Sequence, residues 1–379
     1  MPRMQRFSIA FVAVLALLAV APAAEAKRKV PRGFYAVMWD RDATSAPDAD
    51  QEAQWALMAR SGVESVRTVF HWAMAQPEPG VTDFSRTDRV VGLAAAHNIE
   101  LVPVVRTSPG WAARDPYARG SPPKNVADYT AYLSALIARY GPKGSFWVEH
   151  PELPRRPLRT WQVWNEPHLN IWWNTDGHSS TSWARDYARL LKASKATIDA
   201  ADPGATVVLA ALADYAWKHM ARLNRFRIGR YYDVAAINLF TARPENVMKG
   251  VRWVRREMRR GGAARKPVWL TESTWPAGKG RVTRPEASWQ RDWYTTDSGM
   301  AERVRGIYST AIEHRRKLRI GRVVWYTWAS AYVDNDLFDY AGLIKFSGGV
   351  FEPQPALDAY AASARRAQGC TKTDAGTCD

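Results

Sequence analysis

The sequence has few cysteines and no long apolar run after its first 26 residues, and both shortages exclude whole classes of protein. Only 2 of the 379 residues are cysteine, too few for a disulfide-rich scaffold or a four-thiolate metal site. No later segment approaches the roughly 18 consecutive apolar residues of a membrane-spanning helix, so we expect no stable membrane insertion. No glycine-rich phosphate turn follows the first strand, and no sequence repeat or nucleic-acid motif occurs. These absences disfavour dinucleotide-binding sheets, solenoids and nucleic-acid-binding proteins.

The first 26 residues have the three parts of a secretory signal peptide. Arg3 and Arg6 give a positively charged start, residues 7–20 form an apolar run, and Ala24-Glu25-Ala26 is a small-x-small cleavage site. The apolar run is too short to span a bilayer comfortably. We therefore expect cleavage after Ala26 and a mature chain that is secreted or held at the cell-envelope exterior.

Both cysteines lie in the polar tail of residues 370–379. An exported chain meets an oxidising compartment, so we expect Cys370 and Cys378 to pair and close a small loop. A loop this short adds modest stability, and we interpret it as a staple of the tail rather than a redox site. Residues 27–369 then form one folded domain.

The composition is that of a globular chain with two unusual features. Hydrophobic residues make up 46% and charged residues 24%, which argues against wholesale disorder. There are 18 tryptophans, an excess often found in proteins that bind sugars. The formal net charge is +16. This charge favours either an acidic polysaccharide partner or simply an arginine-rich, solvated surface.

Apolar strands alternate with amphipathic helices along the chain, and eight strand–helix pairs can be counted. This alternation predicts parallel strand pairing, and eight units predict an α/β fold of the single-domain (β/α)8 TIM-barrel type. The predicted strands are residues 33–40, 63–72, 99–106, 158–164, 205–213, 233–240, 267–271 and 322–328. The predicted helices are residues 48–61, 84–97, 126–140, 183–200, 217–226, 245–260, 301–318 and 355–367.

Two glutamates follow apolar strands at corresponding places in this pattern. Glu166 stands in an Asn-Glu-Pro turn after the fourth strand, and Pro167 keeps it out of the right-handed α region. Glu272 follows the seventh strand. In a barrel the carboxyl ends of the strands share one rim, so both carboxylates are expected in one pocket. A protonated and an ionised carboxylate are what glycosidic bond cleavage requires.

These segments resemble the clan A retaining glycoside hydrolases, over most of residues 27–369. The closest resemblance is to family 39, with families 5 and 42 near. Supporting stretches are residues 62–67, 76–80, 83–85 and 109–111, with Trp72 and Asp88. The resemblance implies a (β/α)8 barrel that cleaves O-glycosidic bonds and uses no metal or organic cofactor.

Site residues follow from this resemblance one position at a time. Glu166 corresponds to the acid/base and Glu272 to the nucleophile. Asn165 corresponds to the asparagine that binds the sugar 2-hydroxyl, and Arg67 to the arginine that hydrogen-bonds the nucleophile. Arg67 is expected to lower the pKa of Glu272, while apolar walls keep Glu166 protonated. The sequence departs from the families after the sixth strand, where Asn238 replaces a histidine or tyrosine.

Other residues at the ends of strands are candidates for sugar contact. His168 follows the Asn-Glu-Pro turn and is a candidate for polarising the substrate. Trp328 corresponds to the tryptophan that floors the catalytic subsite. The aromatic candidates for sugar platforms, each with core packing as the alternative, are Trp39, Trp72, Trp111, Trp172, Trp173, Trp275 and Trp328.

The sequence thus predicts a secreted, monomeric glycoside hydrolase that acts on a polysaccharide or oligosaccharide by double displacement. A transglycosylase with the same carboxylates and a non-catalytic carbohydrate-binding pseudoenzyme are the alternatives. The identity and anomeric configuration of the sugar, and endo or exo action, are not given by the sequence.

Overall fold

The computed structural model describes residues 28–40, 47–118, 120–174, 182–283, 292–334 and 337–370. The predicted signal peptide and Cys378 lie outside these ranges, so cleavage after Ala26 and the pairing with Cys370 stay predictions. Within these ranges no helix is long and apolar enough to cross a membrane.

Eight parallel strands form the central sheet in the order β5-β4-β3-β2-β1-β8-β7-β6. The two outer strands of this order meet through the parallel bridges Val208–Val234 and Leu212–Ile237, which close the sheet into a barrel. The predicted (β/α)8 fold is therefore confirmed. The strands are β1 Tyr35–Met38, β2 Ser65–His71, β3 Glu100–Arg106, β4 Thr160–Val163, β5 Thr206–Val208, β6 Ala235–Asn238, β7 Val268–Ser273 and β8 Ile320–Trp325.

Helices follow the strands and cover the outside of the barrel. They are α1 Asp48–Arg60, α2 Trp72–Ala75, α3 Ser85–Ala96, α4 Val126–Tyr140, α5 Phe146–Glu149, α6 Ser182–Ala201, α7 Ala216–Asn224, α8 Pro244–Arg260, α9 Asp297–Leu318 and α10 Pro355–Gln368, with a 3-10 turn at Ile228–Arg230. The predicted bounds of α4 are correct to the residue, because its apolar period ends at Gly141-Pro142. The short α2, α5 and 3-10 turn are too brief to show a period in the sequence.

The alternation of side chains along each strand divides the apolar residues between two layers. In β3, Val102 and Val104 point into the barrel and join small interior clusters. Leu101 and Val105 point outward and join the main core between sheet and helices. A strand buried on both sides is expected to be a continuous apolar run, which is how β3 was identified.

Three strands differ from their predicted bounds in ways that matter for the site. β5 ends at Val208, because residues 209–213 pair only through isolated bridges. β7 extends to Ser273, so Glu272 lies within the strand instead of after it. β8 ends at Trp325, so Trp328 lies three residues beyond the strand that it was expected to end.

A small three-stranded sheet after β8 was missed by the sequence analysis. It comprises β9 Ala329–Ser330, β10 Ile344–Ser347 and β11 Val350–Pro353. The antiparallel pair β10–β11 turns at Gly348 and Gly349, both of which have positive φ. A Gly-Gly turn between short apolar runs is a hairpin signal, but the eight strand–helix pairs predicted from the sequence do not include this hairpin.

Gly120 fastens the loop after β3 to the loop after β4. Its φ is +77°, and a Cβ there would lie 2.2 Å from the Ile171 carbonyl oxygen. The Gly120 carbonyl in turn accepts a hydrogen bond of 3.1 Å from the Asn174 amide. The position of Trp172 beside Ile171 therefore depends on the absence of a side chain at residue 120.

We expect Gly120→Ala to destabilise the protein by more than about 2 kcal/mol, because left-handed strain and a backbone clash add together. Gly80→Ala is the matched control: its φ is +82°, with nothing within 4 Å of the added Cβ. The control should cost about 1 kcal/mol, from backbone strain alone. The free energy of unfolding from chemical denaturation measures both. Equal losses for the two variants would contradict the clash.

Candidate active site

Glu166 is placed by a sharp turn at the carboxyl end of β4. Trp164 and Glu166 both have left-handed backbone conformations, with φ of 68° and 43°. Left-handed φ costs energy for residues other than glycine, and such strain collects at functional sites. Pro167 excludes the right-handed α region for Glu166 as expected, and the residue takes the left-handed region instead. The Glu166 amide donates to the Ala211 carbonyl at 3.0 Å, which fixes the turn against the chain after β5.

Asn238 connects the two glutamates. The register between β6 and β7 shifts at Ile237/Asn238, so that Asn238 stands beside Glu272 in the sheet. Its Nδ2 donates to Glu166 Oε1 at 2.8 Å, and its Oδ1 accepts from the Thr271 hydroxyl at 2.8 Å. The Thr271 contact fixes the direction of the amide. Asn238 therefore serves as a hydrogen-bond donor to Glu166, on the strand next to the one that carries Glu272.

Arg67 joins the same pair from inside β2, and its side chain is 1% exposed. One guanidinium nitrogen lies 2.8 Å from Glu272 Oε1, and the other donates to Asn165 Oδ1 at 2.7 Å. Its Nε donates to Gln162 Oε1 at 2.9 Å. The predicted contact between Arg67 and Glu272 is present, and Asn165 is drawn to the same cation. Strands β2, β4 and β7 thus deliver their polar side chains to one point.

The two carboxyl groups are in different electrostatic environments. Burial and the nearby Glu272 raise the pKa of Glu166 to about 8, against the weaker opposite effect of its Asn238 hydrogen bond. Burial also raises the pKa of Glu272, although Arg67 lowers it through its charge and its hydrogen bond. Arg67 therefore lowers the pKa of Glu272 as expected, but the cost of burying the charge is larger, and the net pKa is raised. Arg67 nevertheless makes Glu272 the better place for the negative charge of the pair.

A second polar cluster lies at the ends of the first three strands and was missed from the sequence. Asp40 follows β1, His71 ends β2 and Arg106 ends β3. Asp40 is 3.5 Å from both His71 Nε2 and an Arg106 guanidinium nitrogen. Both Asp40 and Arg106 act electrostatically on Glu272, so they lie near that carboxyl group. The rule that found Glu166 and Glu272, a polar residue at a strand end, would have found these three as well.

Four of the predicted sugar platforms are packed inside the protein. Their exposed fractions are 1% or less, so these rings offer almost no face to a ligand. The indole of Trp328 donates to Gln54 Oε1 at 2.9 Å, and that of Trp275 donates to the Thr241 carbonyl at 2.6 Å. Sugar stacking on these rings stays a prediction that their packing does not support. The four residues are Trp39, Trp72, Trp275 and Trp328.

Trp111 and Trp172 are the accessible members of the predicted set. Trp111 is 36% exposed and meets the buried Trp72 edge to face. Trp172 is half-buried, and one face of its ring is covered by the Arg106 guanidinium at 4.3 Å. The aromatic residue after β8 that packs against the barrel interior is Tyr326, which is half-buried and which the sequence analysis did not single out.

His168 lies beside Glu166 in sequence, but its described contacts are on the helix side of the turn. Its ring stacks on His219 at 3.9 Å, and its Nε2 accepts from the Ala213 amide at 3.3 Å. Burial and the neighbouring His219 lower the pKa of His168 to about 2, so the ring is neutral. No contact with either glutamate supports a role in polarising the substrate. Among the described residues, no group of three or more His, Cys, Asp or Glu side chains could hold a metal ion.

Comparison with known proteins shows similarity to glycoside hydrolases. The family 42 glycoside hydrolase model, described as beta-galactosidase, matches residues 43–116. No curated protein matches the chain in sequence.

Several solved structures are similar over most of the chain. A monomeric beta-xylosidase from Caulobacter crescentus CB15 is 17% identical, with a TM-score of 0.60 over 89% of this chain and 69% of the xylosidase. A family 39 enzyme from Xanthomonas axonopodis pv. citri is 20% identical, with a TM-score of 0.63 over 89% of this chain and 67% of that enzyme. A family 1 b-glucosidase from Thermotoga maritima is 10% identical, with a TM-score of 0.62 over 90% and 99%.

At these identities the structural likeness shows the fold, which is that of the TIM-barrel glycoside hydrolases. The family model and the structural neighbours point to enzymes that act on O-glycosidic bonds. The resemblance to clan A glycoside hydrolases, first seen in the strand-end glutamates, is confirmed.

Proposed function

We propose that the protein is a retaining glycoside hydrolase that cleaves a polysaccharide or oligosaccharide by double displacement. The observation that carries this proposal is the hydrogen-bonded network around the glutamates. Glu272 contacts the buried Arg67 at 2.8 Å, while the side-chain donor to Glu166 among the described residues is the neutral amide of Asn238. One proton on Glu166 and one negative charge on Glu272 is the distribution that this network favours.

The two glutamates then have distinct roles in the reaction. A Glu272 oxygen forms a bond to the anomeric carbon as the glycosidic bond breaks, and the leaving oxygen takes the proton of Glu166. In the second step water attacks the anomeric carbon, Glu166 takes a proton from that water, and the bond to Glu272 breaks. Arg67 stabilises the Glu272 carboxylate before the first step and after the second. The anomeric configuration is retained because each step inverts it.

The first experiment is to label the nucleophile and remove each carboxylate. A panel of 2,4-dinitrophenyl 2-deoxy-2-fluoroglycosides of glucose, galactose and xylose should label Glu272, as read by peptide mass spectrometry. Glu272→Gln should lower kcat by roughly 10⁴-fold or more, because no covalent intermediate can form. Glu166→Gln should lower kcat roughly 10²- to 10⁴-fold on poor leaving groups. It should have far less effect on kcat/KM for a dinitrophenyl glycoside, because that leaving group needs no proton and kcat/KM does not include the second step, in which Glu166 acts as the base.

Glu302→Gln, on the exposed side of α9, is the matched control and should leave all rates unchanged. An active protein in which Glu272→Gln behaves like this control would refute the assignment. Product analysis with an added acceptor sugar distinguishes a hydrolase from a transglycosylase. Absence of any turnover and any label would favour the carbohydrate-binding alternative.

The pH dependence of the reaction should show the raised pKa of Glu166. Glu166 acts as an acid only while protonated, and its pKa is about 8. We therefore expect kcat/KM to be maintained up to about pH 8 and then to fall about tenfold per pH unit. With a phenyl glycoside, whose leaving group needs the proton of Glu166, the wild-type protein should show this alkaline limb, and Glu166→Gln should lose it because an amide does not titrate in this range. A decline that begins near pH 5, or one that persists in Glu166→Gln, would contradict the assignment.

We further propose that the protein is exported and works as a monomer. Export rests on the signal peptide pattern of residues 1–26, and the similar Caulobacter crescentus xylosidase is described as monomeric. Expression with the native leader should give an extracytoplasmic product whose first residue is Lys27, as read by N-terminal sequencing. A product retained in the cytoplasm with its leader intact would contradict export, and light scattering tests the monomer.

A further inference from the structure

Asp40 is an acceptor without an adequate donor. Its Oδ1 is buried and has no hydrogen-bond partner among the described residues, although His71 Nε2 lies 3.5 Å away. Its Oδ2 is 3.5 Å from Arg106, well beyond the roughly 2.7–2.9 Å of a charge-assisted hydrogen bond. Burial alone would raise the pKa of Asp40, but His71 and Arg106 outweigh it, and the pKa is lowered. The side chain is 25% exposed, so a carboxylate with one buried, unpartnered oxygen is accessible to a donor from outside the protein.

Arg106 has more hydrogen-bond donors than the described residues supply acceptors for. The residue is 7% exposed, and its guanidinium is stacked on Trp172 at 4.3 Å. Among the described residues, the contact of 3.5 Å with Asp40 is the one hydrogen bond that its side chain makes. A guanidinium carries five N–H donors, so most of them are free for oxygen acceptors. The contact with the Trp172 ring helps to hold this guanidinium beside Asp40.

The charges near the catalytic pair are already matched within the protein. Arg67 pairs with Glu272, and Arg106 stands next to Asp40. A further carboxylate at this place would meet two anions, Asp40 and Glu272, while the two described arginines beside them each already have a carboxylate partner. A sugar hydroxyl can instead donate to Asp40 and accept from Arg106 through the same oxygen.

We propose that Asp40 and Arg106 together recognise hydroxyl groups of a neutral sugar held next to Glu272, and that they select against a uronic acid in that position. This inference rests on the proposed function, because it names the class of sugar that the same site takes. It decides against an acidic sugar at the cleavage point, which the net charge of +16 had left open. Asp40 is thereby a specificity-determining residue, and Trp172 acts through Arg106 as a positioning residue.

The test compares 4-nitrophenyl glycosides of glucose, galactose and xylose with 4-nitrophenyl glucuronides and galacturonides, in both anomers. The best neutral glycoside should exceed its matched uronide in kcat/KM by at least about 100-fold. Asp40→Asn should lower kcat/KM on that neutral glycoside roughly 10- to 100-fold, the effect of losing a hydrogen bond to a charged group. It should leave the uronide rate unchanged or higher. Asp358→Asn, on the exposed side of α10, is the matched control and should change neither rate.

Deoxy analogues show whether the effect comes from direct contact. Removing the hydroxyl that Asp40 binds should slow the wild-type protein by the same factor as Asp40→Asn, and should cost that variant little more. Each rate is measured at the pH optimum of its own variant, because the charge of Asp40 also raises the pKa of Glu272.

Two results would overturn the inference while the proposed function stands. One is faster cleavage of uronides than of neutral glycosides with Glu272 still labelled by the fluoroglycosides. The other is an Asp40→Asn protein that cannot be distinguished from Asp358→Asn on every substrate. Loss of all turnover and of Glu272 labelling in the wild-type protein would overturn the proposed function, and this inference with it.

Discussion

The contact between Arg67 and Glu272 is the interaction on which the rest of the site depends. A buried carboxylate without a cation would be protonated and useless as a nucleophile. Arg67 is itself 1% exposed, so the two buried charges compensate one another. Arg67 also donates to Gln162 in β4 and to Asn165 just after β4. Through one guanidinium, the position of Glu272 is therefore tied to β4, the strand that leads to Glu166.

Glu166 differs from Glu272 mainly because no cation contacts it among the described residues. Glu166 is as deeply buried as Glu272, but its close polar partner is the neutral amide of Asn238. The cost of burying a charge is thus offset at Glu272 by the cation Arg67, and at Glu166 by the weaker dipole of the Asn238 amide. Because the two charges also repel one another, a single proton shared between them resides on Glu166. Asn238 donates a hydrogen bond to Glu166 through an amide that does not titrate. An asparagine in place of a histidine or tyrosine is therefore compatible with a proton on Glu166 and a negative charge on Glu272.

The sequence allowed the barrel and both carboxylates to be predicted, because each rests on a local pattern. β3 and α4 are identified by periodicity, and the glutamates by their place after apolar strands. Burial of individual rings was not predictable, since Trp328 at 0% and Trp111 at 36% exposure have the same kind of sequence context. Whether a ring faces the pocket or the core depends on the shape of loops and on partners such as Gln54. The net pKa of Glu272 likewise depends on a balance of burial and contact that residue types alone do not fix.

The net charge of the whole chain does not give the charge inside the active site. The +16 of the chain includes exposed arginines such as Arg252, Arg256, Arg259 and Arg260 on α8, where water screens them. Such charges act over a Debye length of about 8 Å at physiological salt, and they can attract an anionic polymer without reading its sugars. Inside the barrel mouth, Arg67 and Arg106 each stand beside a carboxylate, so the surface excess does not extend there. Attraction to a surface and choice of the sugar at the cleavage point are therefore separate properties, and only the second depends on Asp40.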